Sequence, residues 1–594
     1  MKNSRRGGRP AQAPSWLDGV LAEAIRHHRA GRLAEAERGY RDVLAINPHH
    51  ADAMHWLGVA ASQRGDQTDA LRCFQEALRL RPDSAATAAN IARVLLLAGR
   101  AEEAANAATQ ALTIAETAQA KALFVQALAL STNAEQLAPS RAMMTRAVLE
   151  RWARPADIAR IASQAIMASA ARHAESARAD PLLLALLTAA PVVTMELERY
   201  LTQMRRTLLA RARADDRVNK RTLELFAALA RQCFINEYVF AQGADEIAQM
   251  EVLRAKLAAG ETLSPVQLIS VAAYAPLHTV EGAERLLSQT WPEPIVPLLA
   301  QQIVEPLAER ALRTTIPQLT AIFGDVSRAV QDQYEDNPYP RWSDTVTTPA
   351  TQDQPFDALI AGCGTGRQSV ELAQRHPAAR ILAIDLSLTS LSYALRKTRE
   401  LGIRNIEYAQ ADLLALGSIG RSFDLIEANG VLHHLADPWA GWRVLLSLLR
   451  ADGEMRIGLY SERARQPVIV AHAFVAKHGY GRSAEDIRRF RQDVLGEETL
   501  AMLPQSRDFY TVSACRDLLF HVQEHRMTLP QIKAFIASND LTFGGFDLDA
   551  VTLQAYRARY PADQAATDLD CWHAFEEAYP NTFGRMYQFR VRKA

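Results

Sequence analysis

Small and apolar positions return every 34 residues in the first part of the chain: Gly31, Gly65 and Gly99; Ala36, Ala70 and Ala104; Pro48 and Pro82. Tyr40 and Phe74 each follow the small alanine by four residues, and Leu57-Gly58 lies in the first helix of the second unit. The glycines let paired helices turn tightly, so the period predicts stacked helix pairs. Three units are readable over about residues 17 to 118, and residues 119 to 154 read as a fourth, degenerate pair. From Pro155 to about Val330 the chain is rich in Ala and Leu with helical spacing, including the charge-interleaved MELERYLTQMRRTLLARAR from Met195, which predicts an all-helical middle region. The pattern changes at Pro355. PFDALIAGCGTGRQSVEL is an apolar run, three glycines at alternating positions and a helix-like segment, which predicts a strand, a tight loop and a helix start. RILAID, from Arg380, reads as a second buried strand ending in a carboxylate.

Gly362, Gly364 and Gly366 keep side chains away from a bound nucleoside, and the helix start beyond them offers free N–H groups to a negative group. The dinucleotide fingerprint spaces its glycines G-x-G-x-x-G, and here the third glycine comes one residue early. Asp385 lies 23 residues after Gly362, where an acid can accept both hydrogen bonds of a ribose diol. These residues resemble the class I S-adenosylmethionine-dependent methyltransferases, with GCGTG as first motif and Asp385 as second. The likeness continues: NIEYAQAD (Asn405 to Asp412) looks like the third strand, SFDLIEANGVLHHLADP the fourth strand and its loop, and LLSLLRADGEMRIGLYS the next helix and the fifth strand. Asp452 stands in that last turn where the family often has Pro or Gly. The resemblance implies a seven-stranded Rossmann-like sheet and S-adenosylmethionine as cofactor. It assigns the cofactor to Gly362, Gly364, Gly366, Asp385 with Leu386, Asp412 with Leu413, and Asn429, with Asp412 on the adenine amino group. It also makes Leu541 to Leu553 and Arg585 to Lys593 the last two strands, with a helical insertion from Thr567 to Tyr579 between them. The 34-residue period resembles the tetratricopeptide repeat, whose concave face takes a protein or peptide partner.

The fold class expected is therefore α plus α/β, in four parts: a disordered arm (1–16), a repeat solenoid (17–154), a helical middle region (155–333) and the methyltransferase domain (334–594). Composition narrows the function. Lys plus Arg and Asp plus Glu both number 67, so the formal charge is zero and the basic footprint of a nucleic-acid binder is missing. The N-terminal MKNSRRGGRPAQAPS lacks the apolar stretch of a signal peptide, and the longest apolar run, Pro181 to Val193, is too short to span a bilayer. Five widely spaced cysteines without Cys-x-x-Cys fit free thiols in a reducing compartment, so a cytoplasmic protein is expected.

Methyl transfer from a sulfonium is an in-line displacement, so the protein must hold donor and nucleophile collinear in a dry site and take up any released proton. Substrate-facing groups belong at the carboxyl ends of the fourth and fifth strands, where Asn429, His433, His434 and Tyr460 fall. His433 is the candidate general base, with a capping or packing role the alternative for either histidine of the pair. The Asn-Gly-Val-Leu after the fourth strand lacks the Asn/Asp-Pro-Pro-aromatic motif of nucleic-acid amino methylases. YEDNPYPRW, carrying Tyr334, Tyr339 and Arg341, precedes the first strand and reads either as a lid over cofactor and substrate or as a packing wedge between domains. His521-Val-Gln-Glu-His525 spells a zinc-peptidase pattern. On a helix both histidines would share one face. No peptidase and no metal is assigned, and the pair reads instead as a polar patch at the substrate pocket or a structural cluster. CFINEYVF, from Cys233, reads as a core helix or a docking surface. The acceptor is a protein side chain delivered by the solenoid or a small metabolite, and a non-catalytic scaffold is the rival.

Overall fold

The computed structural model describes residues 15–172, 180–336, 338–339, 342, 350–351 and 354–593. The expected N-terminal arm lies outside these up to residue 14. The chain divides into two compact units, 1–177 and 178–594, and each is described by itself.

The first unit is a stack of helix pairs: Ser15–Arg29 with Leu33–Ile46, Ala51–Gln63 with Gln67–Leu80, and Ala85–Leu97 with Ala101–Ile114. Gly31, Gly65 and Gly99 hold φ between +72° and +84°, the left-handed turn that the 34-residue spacing requires. Ala36, Tyr40, Ala70, Phe74 and Ala104 are fully buried. A Cβ on Gly58 would come within 3.0 Å of the Phe74 ring, so that glycine sets how closely the helices of the second pair approach. After Ala118–Leu130 come a 3-10 turn, Ala134–Ser140, which packs on Ala101–Ile114, and the short helix Arg141–Leu149. The helix Pro155–Arg172 counts with this unit.

The second unit opens with the helices Pro181–Ala189, Met195–Arg213, Lys220–Ile235, Ala244–Ala258 and Pro265–Tyr274. CFINEYVF ends the third of these, and Cys233, Tyr238, Val239 and Phe240 are buried, which is the core reading of that segment.

The seven strands follow: β1 (Asp357–Ala361), β2 (Arg380–Asp385), β3 (Ile406–Gln410), β4 (Phe423–Asn429), β5 (Leu449–Tyr460), β6 (Leu541–Phe546) and β7 (Met586–Lys593). Their order is β3-β2-β1-β4-β5-β7-β6. β1 to β5 are parallel, and β7 inserts antiparallel between β5 and β6. β1 and β2 read as continuous apolar runs because both of their faces are covered, whereas β7 alternates buried and more exposed positions. The cores lie between those faces and the helices, one of them built on Trp442, Met455, Trp572 and Phe589.

Two local expectations change. The strand expected from Leu541 to Leu553 stops at Phe546, because Asp549 caps a helix, Ala550–Arg559, by accepting from the Thr552 N–H. His521 to His525 is not helical. Its neighbours claim its backbone: His525 N–H donates to the His433 carbonyl and Met527 N–H to that of Tyr460, so the segment runs extended beside the end of β5. The two histidines therefore share no helical face.

The middle helices are fastened to the insertion between β5 and β6. Arg491 donates to both oxygens of Glu198 at 3.1 and 2.7 Å, and the two side chains are 1% and 4% exposed. Removing one partner strands a buried charge, so Arg491→Ala lowers stability by about 3–5 kcal/mol. A urea midpoint close to that of the parent protein excludes this.

Candidate active site

β1 ends at Ala361, and the chain turns through Gly362, Cys363, Gly364, Thr365 and Gly366 into the helix Arg367–Arg375. The three glycines have φ of +68°, +52° and +80°. A Cβ on Gly362 would stand 2.6 Å from Val431 Cγ2, and one on Gly366 2.5 Å from Ala394 Cβ. Two of the three are thus demanded by the loop's own packing. Gly366 is the helix N-cap and, having no side chain, cannot itself cap the first turn. Asp385 closes β2, with Oδ2 accepting from Gly364 N–H at 2.8 Å and Oδ1 from Ser387 N–H at 2.9 Å. Each oxygen keeps a second lone pair for a diol. Burial pushes the Asp385 pKa up, against the pull of those N–H groups. A helix start with glycine as its N-cap, beside a fixed, half-buried acid, fits a nucleoside with a charged tail.

The remaining cofactor candidates are less open. Asp412 is buried after β3, its Oδ1 accepting from Leu414 N–H and its Oδ2 from Phe323 N–H at 3.3 Å. Leu386 gives its carbonyl to Gln410 Nε2, Leu413 packs in the core, and Asn429 ends β4 opposite Gly458. Pro317 to Leu319 pairs with Gln410, so the chain ahead of the sheet runs along the outer side of β3 at this point.

The second constellation forms beyond β4. Gly430 and Val431 lead into a 3-10 turn, Leu432–His434. His433 is 0% exposed, its ring stacks on Tyr460 at 3.7 Å, and neither ring nitrogen finds a partner among the described residues. Burial, then the neighbouring His434, push its pKa far down. His434 differs. Its Nδ1–H donates to the Gln523 carbonyl at 2.8 Å, which leaves Nε2 as the acceptor nitrogen. Burial pushes its pKa down to about 4, so the ring is neutral at pH 7. His521 stacks on His434 at 3.6 Å, and one nitrogen of each together with one oxygen of Asp517 lie within 4.8 Å of one another. His521 Nδ1 accepts from Gln523 N–H at 3.1 Å, so its Nε2 carries the proton, 3.2 Å from the Tyr334 hydroxyl. Burial drives His521 down to about 2. His525 Nε2 meets the Gln523 side chain at 2.9 Å. Rings stacked face to face send their lone pairs out in parallel, whereas metal ligands must converge on one point, so the trio is not arranged as a metal centre.

Tyr334 joins the two constellations. Its hydroxyl donates to Asp517 Oδ1 at 2.6 Å while its carbonyl accepts from the Ser387 hydroxyl at 3.0 Å, next to Asp385. Glu335 accepts from Leu388 and Thr389 N–H groups and so caps the helix Leu388–Glu400. Trp342 Nε1 donates to the Thr365 carbonyl, inside the glycine loop, at 2.9 Å. Tyr339 is half-buried, and the carboxylate of Asp508, then burial, raise its pKa. Arg341 lies outside the described residues. Asp517 and Glu335 are absent from the residues picked out by sequence. The available signals were an acid within the largely apolar VSACRDLLF, beside Arg516, and an acid next to Tyr334 in YEDNPYPRW.

Among proteins of known sequence, the methyltransferase-domain family matches residues 358–453 and the tetratricopeptide repeat matches residues 51–84. An uncharacterised protein of Synechococcus is 31% identical over 202 residues, which are 32% of this chain and 48% of that protein. Trans-aconitate 2-methyltransferase of Deinococcus radiodurans is 32% identical over 106 residues, 17% of this chain and 38% of that enzyme. Among solved structures, PKMT2 of Rickettsia typhi in complex with AdoHcy aligns over 40% of this chain and 49% of its own, at 16% identity and a TM-score of 0.33. The chain thus spans about half the length, or less, of these relatives. The domain match agrees with S-adenosylmethionine as the expected cofactor. No helix among the described residues is long and apolar enough to cross a membrane. The chain carries a tetratricopeptide repeat and a methyltransferase domain, the latter a Rossmann-like seven-stranded sheet.

Proposed function

We propose that this protein is an S-adenosylmethionine-dependent methyltransferase whose acceptor lies between the carboxyl ends of β4 and β5 and the helix Val512–Leu519. The observation that carries the reading is Tyr334, which hydrogen-bonds at one end beside the nucleoside-binding acid Asp385 and at the other within the His434, His521 and Asp517 cluster. Donor and acceptor sites are then neighbours under one segment, and YEDNPYPRW acts as the lid.

When bound, S-adenosylmethionine supplies an electrophilic methyl group. Gly364, Gly366 and the first turn of the helix Arg367–Arg375 hold its charged tail, and Asp385 holds its ribose. His434, neutral and with Nε2 free to accept, takes a hydrogen bond from the X–H of the acceptor and so orients its lone pair. His433, wholly enclosed and stacked on Tyr460, supports that wall of the site rather than reaching the acceptor. The helical repeats hold a protein or peptide partner on their concave face, which favours a protein side chain as acceptor over a small metabolite.

The experiment is transfer of radiolabelled methyl into a cell extract, with protein then separated from small molecules and the Asp385→Ala protein as blank. Label in protein is expected. Label confined to small molecules reassigns the acceptor, and label in neither fraction ends the enzymatic reading. Cofactor binding does not need the repeats, which contact mainly their neighbours. A chain beginning at Asp180 is therefore expected to bind S-adenosylhomocysteine like the whole protein, and a folded chain of that length that fails to bind it overturns the division of labour.

A further inference from the structure

Asp517 is a buried acid without an opposite charge of its own. It is 7% exposed, sits on the helix Val512–Leu519, and among the described residues has a hydrogen-bond donor in Tyr334 but no ion-pair partner. The cation that acts on it, Arg465, is already taken, since it pairs with Glu524 and lies over the Tyr460 ring at 3.9 Å. His434 and His521 are neutral, so they bring no compensating charge. The groups acting on Asp517 from the surrounding elements are Tyr334, Asp508, Arg465 and Glu524, and two of those four add negative charge. Burial is the main reason that its pKa rises to about 7. A lone carboxylate in such a place either takes up a proton or is completed by a cation.

We propose that Asp517 is the anchor for an amino-group acceptor, which enters as an ammonium ion and gives its proton to this carboxylate. The inference rests on the methyltransferase reading above. A carboxylate acceptor would be repelled by the same field and has no proton to lose. A hydroxyl acceptor would leave the charge uncompensated. An ammonium ion satisfies it. The proton step balances: R–NH3+ and the Asp517 carboxylate become R–NH2 and a neutral carboxylic acid, which frees the nitrogen lone pair for attack. A base that changes state near neutral pH is matched to that task. Tyr334, which donates to Asp517 Oδ1, is a positioning residue here, holding the carboxylate in place.

The test uses three probes on the full chain saturated with S-adenosylhomocysteine: n-butylamine, butyrate and n-butanol, measured by calorimetry between pH 6 and pH 8. The amine is expected to bind at least tenfold tighter than the other two, and to bind more tightly as the pH rises and Asp517 ionises. Asp517→Asn, which keeps the shape, should remove the preference, and Asp517→Glu should retain part of it. S-adenosylhomocysteine affinity and thermal unfolding report separately that each variant is folded. The idea is overturned if no probe binds, if butyrate or butanol matches the amine, or if the preference survives Asp517→Asn. It is also overturned if Asp517→Asn alters only the ratio of S-adenosylmethionine to S-adenosylhomocysteine affinity, since the carboxylate would then serve the sulfonium. Failure to bind S-adenosylhomocysteine at all strikes the methyltransferase reading itself, so the two failures are distinguishable.

Discussion

His434→Ala lowers methyl transfer about 100-fold with little change in cofactor affinity. The ring is held in one tautomer by the Gln523 carbonyl, and its loss leaves the acceptor bound but misaligned, an error of about that size for a displacement that depends on collinearity. His433→Ala supplies the contrast. That ring is enclosed, without a hydrogen-bond partner among the described residues, and stacked on Tyr460, so its removal opens a cavity and lowers stability and cofactor affinity together. Rates and unfolding midpoints for both single variants, with extract protein as acceptor, separate the two roles. A selective rate loss in His433→Ala with an unchanged midpoint would return the catalytic role to His433.

Asp385→Ala weakens binding of S-adenosylmethionine by about 2–3 kcal/mol, or about 30- to 150-fold. Two ribose hydrogen bonds to a charged acceptor are lost, and the Gly364 N–H loses the carboxylate that orients it, so the glycine loop also slackens. Calorimetry on the two proteins measures this. An unchanged dissociation constant removes Asp385 from the ribose.

The sheet could be read before it was seen because its information is local. GCGTG needs positive φ at each glycine, and RILAID must be buried on both faces, so motif and element coincide. The helix pairs were legible for the same reason, since a turn glycine every 34 residues is a backbone requirement. The acceptor side was legible only as a list. His433, His434, Tyr460, His521 and Tyr334 were each named from sequence, but the relation among them depends on long-range contacts such as Tyr334 to Asp517, 183 residues apart. HVQEH shows the limit most clearly. Its spacing suggests a helix with two ligands on one face, but the N–H groups of His525 and Met527 bond to the turn after β4 and to the end of β5, and tertiary pairing overrides the pattern. Asp517 escaped because an acid inside an apolar helix looks like a solvated position until the helix is packed.

The cap that Glu335 places on the helix Leu388–Glu400 links turnover to local helix stability. On the lid reading proposed above, nucleoside exchange moves the Tyr334 segment aside, and any such swing takes the Glu335 carboxylate away from the Leu388 and Thr389 N–H groups. A helix cap is worth about 0.5–2 kcal/mol, so the closed arrangement is favoured about 2- to 30-fold by that contact alone. A lid of that kind would be latched by a bond that belongs to secondary structure, and residues that never meet either substrate would set how often it opens.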